Sequence, residues 1–384
     1  MQDRTRLIAG ATARPERRRA VNPSVTRATT LINARAADLR DESLGPVYGI
    51  DGVEVHQELR RALAGLEGAH AVSLAPTGLA AVTVALLAMV RPGDEVLATD
   101  ACYGPTRRFL DRRLSRLGVT TRYYAPRATA DDVAALITDK TRVLFMESPG
   151  TATFEIQDVP ALCAIARERG LVSIVDNTWA AGLLFKPLSH GADLSLQALS
   201  KYVSGHSDVF GGSIACGSAS VARAVATTIE DLGLFVSPDD AWLMLRGLRT
   251  LPVRIAEHGR SALAVAAWLE SQLEVAKVFY PPLPSSPDHE LWRRDFSGGS
   301  GLMGLVLKDA TAPQAEAFLD ALRLFGIGFS WGGFESLATY EDAQLAVRSD
   351  PPRLGGALVR LHVGLEVVAD LIADLDQGLA TLRR

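Results

Sequence analysis

Residues 172–216, VSIVDNTWAAGLLFKPLSHGADLSLQALSKYVSGHSDVFGGSIAC, decide the fold of this chain. Inside them an apolar run at 172–175 stops abruptly at Asp176, and a second run at 192–199 stops at Ser200 and Lys201. Short runs rich in Val, Ile and Leu, bounded by turn signals, suit buried strands of an α/β sheet. Ligands of such sheets bind at strand ends. A carboxylate and an amine 25 positions apart, each ending a strand, can therefore face one pocket.

Pyridoxal 5′-phosphate (PLP) needs that pair: its aldehyde bonds a lysine amine, and its pyridine nitrogen needs an anionic partner. Lys201 and Asp176 fit those roles. Taken alone, however, they read more readily as a solvated lysine and a loop-capping aspartate.

The surrounding letters reverse that preference. Asp176-Asn177-Thr178 follows a short apolar strand, and Ser200-Lys201-Tyr202 is followed by Gly205-His206-Ser207-Asp208. These stretches resemble the PLP-dependent family of cysteine and methionine metabolism, the trans-sulfuration enzymes, and within it the bacterial cystathionine β-lyases. The resemblance runs from about residue 5 to the C-terminus. It implies an α/β fold of the aspartate aminotransferase-like kind (fold type I), with a large, mostly parallel seven-stranded sheet domain and a smaller C-terminal α/β domain. The expected division is an N-terminal arm at 1–47 packing on a neighbouring subunit, a PLP-binding domain at 48–255 and a small domain at 256–384. A homotetramer, built as a dimer of dimers sharing active sites, is implied as well.

Composition is compatible with this. The chain has 384 residues, 48% hydrophobic and 22% charged, which is enough for a sizeable core and two domains. Its net charge of -4 creates no field for nucleic acid or an anionic membrane. The longest apolar run, at 79–90, is too short for a membrane span and reads as a core helix. Arg14, Arg17, Arg18 and Arg19 make the N-terminus basic, but no apolar segment follows, so no secretory signal is expected. Cys102, Cys163 and Cys216 lack CxxC spacing, and the seven histidines form no HExxH, so neither a disulfide framework nor a metal site is expected. A cytoplasmic enzyme is the resulting expectation.

Along the chain, residues 1–47 have little periodicity and by themselves read as a mobile arm. Tyr48-Gly49-Ile50 follows. The resembling family normally has Tyr-x-Arg here, both contacting the cofactor phosphate of the adjacent subunit. This chain keeps Tyr48 and carries Ile50, which cannot replace a guanidinium fork. Either Arg60 or Arg61 supplies the charge, or this corner is remodelled.

Ala75-Pro76-Thr77-Gly78-Leu79 leads into a helix beginning near Ala80, and the N–H groups of Gly78 and Leu79 suit a phosphate. A strand at 94–98 precedes Tyr103, which by resemblance lies over the cofactor ring and assists amine exchange. Ser200 by resemblance hydrogen-bonds the phosphate. Residues 239–275 read as a long helical region joining the domains. Gly299, Gly301 and Gly304 spell GxGxxG but follow no strand, which excludes a dinucleotide loop.

Arg360 lies in the strand-like run Val359-Arg360-Leu361-His362. Burying it without an anion is costly, and its planar fork matches a carboxylate. It either clamps a substrate α-carboxylate or pairs with a structural acid. By resemblance Ser330 and Trp331 line the same end of the pocket.

The activity these readings imply is β-elimination of an amino-acid thioether, L-cystathionine or a relative, to a thiol, pyruvate and ammonia, with Lys201 as base. A γ-synthase, γ-lyase or specialised PLP enzyme is the alternative, suggested by Ile50 and by Phe329 where β-lyases often have Tyr. A non-catalytic homologue is the remaining one.

Overall fold

The computed structural model describes residues 2–12, 18 and 20–383; Arg14, Arg17 and Arg19 of the basic N-terminal run lie outside the described residues. The first sheet holds β1 (Ala71–Ala75), β2 (Glu95–Thr99), β3 (Thr120–Tyr124), β4 (Thr141–Glu147), β5 (Val172–Asp176), β6 (Leu194–Ala198) and β7 (Gly212–Cys216). Their spatial order is β1-β7-β6-β5-β4-β2-β3. Only β7 runs against its neighbours; every other pairing is parallel. The expected seven-stranded, mostly parallel sheet is therefore present.

Parallel strands buried on both faces should be almost wholly apolar. β2 is buried at every position, and the helix Gly78–Met89 covers β6 and β7 with Val82, Ala85 and Leu86. The carboxyl ends of β4, β5 and β6 lie side by side, with Glu147 opposite Asp176 in register. Lys201 follows three residues after β6.

A second sheet, in the order β10-β11-β12-β9-β8, is built from β8 (Val275–Phe279), β9 (Leu302–Lys308), β10 (Gly326–Ile327), β11 (Leu337–Tyr340) and β12 (Gly356–His362). It is antiparallel except for the short β10–β11 pair. Between the sheets runs the helix Pro238–Leu269, 32 residues long, and position 255 falls inside it. Ser237 caps its start by accepting the Asp240 N–H at 3.1 Å, with Pro238 in the first turn. It ends short of the expected 275 because Val275 already belongs to β8.

Within residues 1–47, whose weak periodicity alone reads as a mobile arm, the first described stretch is a helix docked on its own chain. Asp3–Thr12 is a helix that packs on the helix Glu54–Glu67 of the same chain, with Leu7 buried and Asp3 paired to Lys186 at 2.6 Å. A helix this short is marginal alone, so docking stabilises it, not periodicity. Beyond it, Val21, Val25, Ile32 and Leu44 are exposed. Among the described residues no helix is long and apolar enough to cross a membrane, and none of their side chains form a cluster able to hold a metal.

Candidate active site

A cavity of about 520 Å³ opens where the ends of β4, β5 and β6 meet the second sheet. It is lined by Gly78, Leu79, Tyr103, Asp176, Ser200, Lys201, Ser330, Trp331 and Arg360, which the fold brings together from well-separated stretches. Tyr48 is absent from this lining and is half-exposed, as is Ile50. Arg60 donates to the Asp51 carbonyl at 2.8 Å.

The loop carrying Lys201 is held from below by the long helix. Arg254 donates to the carbonyls of Tyr202 at 2.7 Å and Val203 at 3.3 Å. A Cβ on Gly247 would come within 2.2 Å of the Ser204 carbonyl, so the helix backbone abuts this loop directly. Above, Lys201 Nζ donates to Ser330 Oγ at 2.6 Å and lies 5.2 Å from the centre of the Trp331 ring. Ser330 has φ +88°, a left-handed conformation that costs a non-glycine residue energy and is characteristic of functional sites. Gly332, at φ +87°, has no such choice: a Cβ there would meet the Tyr202 nitrogen at 2.7 Å.

Burial, and then the charge of Arg360, push the Lys201 amine down to about 8, against a smaller opposing pull from Asp176. A neutral amine is thus available near physiological pH. Asp176 is raised by burial, partly offset by Thr178, whose N–H and hydroxyl both donate to Oδ1 at 3.0 and 2.6 Å. The same hydroxyl accepts the Ala198 N–H at 3.0 Å, tying β5 to β6. Glu147 is raised by burial and by Asp176 opposite it, and it accepts the Tyr103 N–H at 2.7 Å. Arg360 is lowered by burial, and its Nη1 lies 3.4 Å from Glu341 Oε1.

These groups fit PLP. Thr77 caps the helix by accepting the Ala80 N–H at 3.0 Å, which leaves the first N–H groups, Gly78 and Leu79, directed at the cavity end of the dipole. A Cβ on Gly78 would lie 2.4 Å from Ala198 Cβ, so glycine lets this cradle approach β6. Ser200 Oγ accepts the Gly211 N–H at 3.0 Å and faces the same end. Asp176, half-buried in the same cavity as Lys201, would offer its carboxylate to a protonated ring nitrogen.

Sequence reasoning missed Glu147, Thr178, Glu341 and Gln344, all of which line the cavity. Thr178 was in view as part of Asp-Asn-Thr. The acids gave no signal beyond closing an apolar run.

Fold and site together define a PLP-dependent enzyme with an open α/β sheet and its lysine at a strand end. The chain belongs to the Cys/Met metabolism PLP-dependent enzyme family, whose model matches residues 4–380, and PLP is its cofactor. It is 41% identical to cystathionine β-lyase MetC of Escherichia coli, over 98% of each chain. It is 43% identical to cystathionine β-lyase of Bordetella avium, over 86% of this chain and 83% of that one. The solved structure of MetB from Corynebacterium glutamicum superposes with a TM-score of 0.92 at 28% identity, covering 100% of this chain and 98% of the other.

Proposed function

We propose that the chain is a carbon–sulfur β-lyase that converts L-cystathionine, or a closely related cysteine thioether, to a thiol, pyruvate and ammonia. The observation that carries this reading is the placement of Lys201 Nζ, with its lowered pKa, in one cavity with Arg360, Ser330 and Asp176. The β-lyase relatives at 41–43% identity support it.

Bound PLP supplies an electron sink for the carbanion formed at Cα. The chain's own residues do the rest. Arg360, with Ser330 and Trp331, fixes the substrate α-carboxylate and so selects the Cα–H bond that faces Lys201. Lys201 takes that proton as general base. The Cβ–S bond then breaks, its electron pair leaving with sulfur, and a proton completes the thiol. Water hydrolyses the remaining unsaturated amine to pyruvate and ammonia. With PLP bound, Asp176 would keep a proton on the pyridine nitrogen, Gly78, Leu79 and Ser200 would hold the phosphate, and Tyr103 would offer an aromatic face to the ring and assist amine exchange.

We place the cofactor in a large domain at 48–255, with a small domain at 256–384. The arm at 1–47 and Tyr48 we assign to contacts with a neighbouring subunit in a tetramer. The exposed Val21, Val25, Ile32 and Leu44, and the exposure of Tyr48 outside the lining of its own chain's cavity, favour that reading. A cytoplasmic setting accords with three unpaired, buried cysteines.

The test is the keto acid formed from L-cystathionine by purified holoenzyme. Pyruvate supports β-elimination. 2-Oxobutyrate would instead assign γ-elimination, the second reading, which Phe329 at the exposed rim of the cavity favours.

A further inference from the structure

The proposed carboxylate clamp comes with an acid of its own. Glu341 Oε1 lies 3.4 Å from Arg360 Nη1, and the same oxygen accepts the Thr339 hydroxyl at 2.6 Å. Both side chains are mostly buried, and both line the cavity. Thr339 is the β11 partner of Arg360 in β12, so strand register fixes the acid beside the guanidinium. The cavity's other acids, Asp176 and Glu147, end strands of the first sheet and not of the second.

We propose that Glu341 competes with the substrate for Arg360, weakening every α-carboxylate and excluding amino acids whose side chain carries a net negative charge. This rests on the assignment of Arg360 to the substrate carboxylate. An acid here has two opposed effects: it orders the guanidinium, and it repels an incoming carboxylate. Ordering is the weaker, because 3.4 Å is long for a charged hydrogen bond and Arg360 is held independently through Nη2 on the Ser330 carbonyl at 3.3 Å. Two carboxylates sharing one buried guanidinium repel strongly at reduced dielectric. A neutral or zwitterionic thioether meets that repulsion once. An acidic side chain meets it twice.

The test is equilibrium binding of L-asparagine and L-aspartate to the holoenzyme, followed by the cofactor's visible absorbance, a readout that needs no carbon–sulfur cleavage. Wild type should bind L-asparagine at least about tenfold more tightly than L-aspartate. Glu341→Gln should bind both more tightly and narrow the ratio to within about threefold. Equal binding of the two by wild type overturns the proposal, and this comparison stands even where the variant does not fold. So does a Glu341→Gln enzyme that binds neither more tightly. Arg360→Ala separates the two assignments: if it binds L-asparagine as wild type does, the clamp itself fails. If it weakens binding while Glu341→Gln changes nothing, only the role of Glu341 fails.

Discussion

At the residue scale the central quantity is the proton on Lys201. Burial and Arg360 disfavour the ammonium and bring its pKa from 10.5 down to about 8, so the neutral amine predominates above that pH. Acylation of Lys201 in cofactor-free protein should therefore follow an ionisation near 8. Asp176→Asn should move it lower still, because Asp176 favours the charged form. An ionisation at the ordinary lysine value would contradict the site's electrostatics. Asp176 and Lys201 were legible because the letters around them, Asp176-Asn177-Thr178 and Ser200-Lys201-Tyr202 with Gly205-His206-Ser207-Asp208, resemble those of the family. Glu147 and Glu341 were not, since a lone acid after a strand has no signature until register brings a second charge beside it.

Elements hold this site by close approach. Gly78→Ala would drive a methyl group against Ala198 Cβ and move the helix start away from β6. It should cost about 1–3 kcal/mol and loosen the cofactor, measured by thermal melting and by PLP retained on dialysis. Unchanged retention would contradict the cradle. Glu67, at the end of the helix Glu54–Glu67, is buried against β6, accepting the Ser195 hydroxyl at 3.1 Å and the Gln197 amide. Burial pushes its carboxyl from 4.5 up to about 7.

Because the folded pKa lies above the unfolded one, Glu67 holds its proton in the fold. Its contribution is complete below the unfolded value and is lost as pH rises through about 7, by roughly 3 kcal/mol. Glu67→Gln should flatten that loss, melting higher than wild type near pH 8 but not near pH 4. Parallel pH profiles for the two proteins would contradict it. Strands β5 and β6 could be read from their runs of Val, Ile and Leu. The helix Asp3–Thr12 could not, because one buried leucine makes no periodicity and its docking partner lies some fifty residues away.

The whole molecule poses the question of shared sites. Tyr48 is half-exposed and outside the cavity of its own chain. If it completes a neighbour's phosphate cradle, Tyr48→Ala and Lys201→Ala proteins, each inactive alone, should regain activity when their subunits are mixed and reassembled. Mixed oligomers with no activity would contradict the sharing. The two-sheet architecture was legible through the resemblance, and the long helix Pro238–Leu269 runs through position 255, where the proposed division falls.

The most direct measurement is a time course of thiol and pyruvate released from L-cystathionine by the holoenzyme and by Lys201→Ala. The account predicts one thiol per pyruvate from wild type, and a rate at least about a hundredfold lower in the variant. Pyruvate released at an undiminished rate by Lys201→Ala, or no thiol and pyruvate from wild type carrying its cofactor, would contradict it.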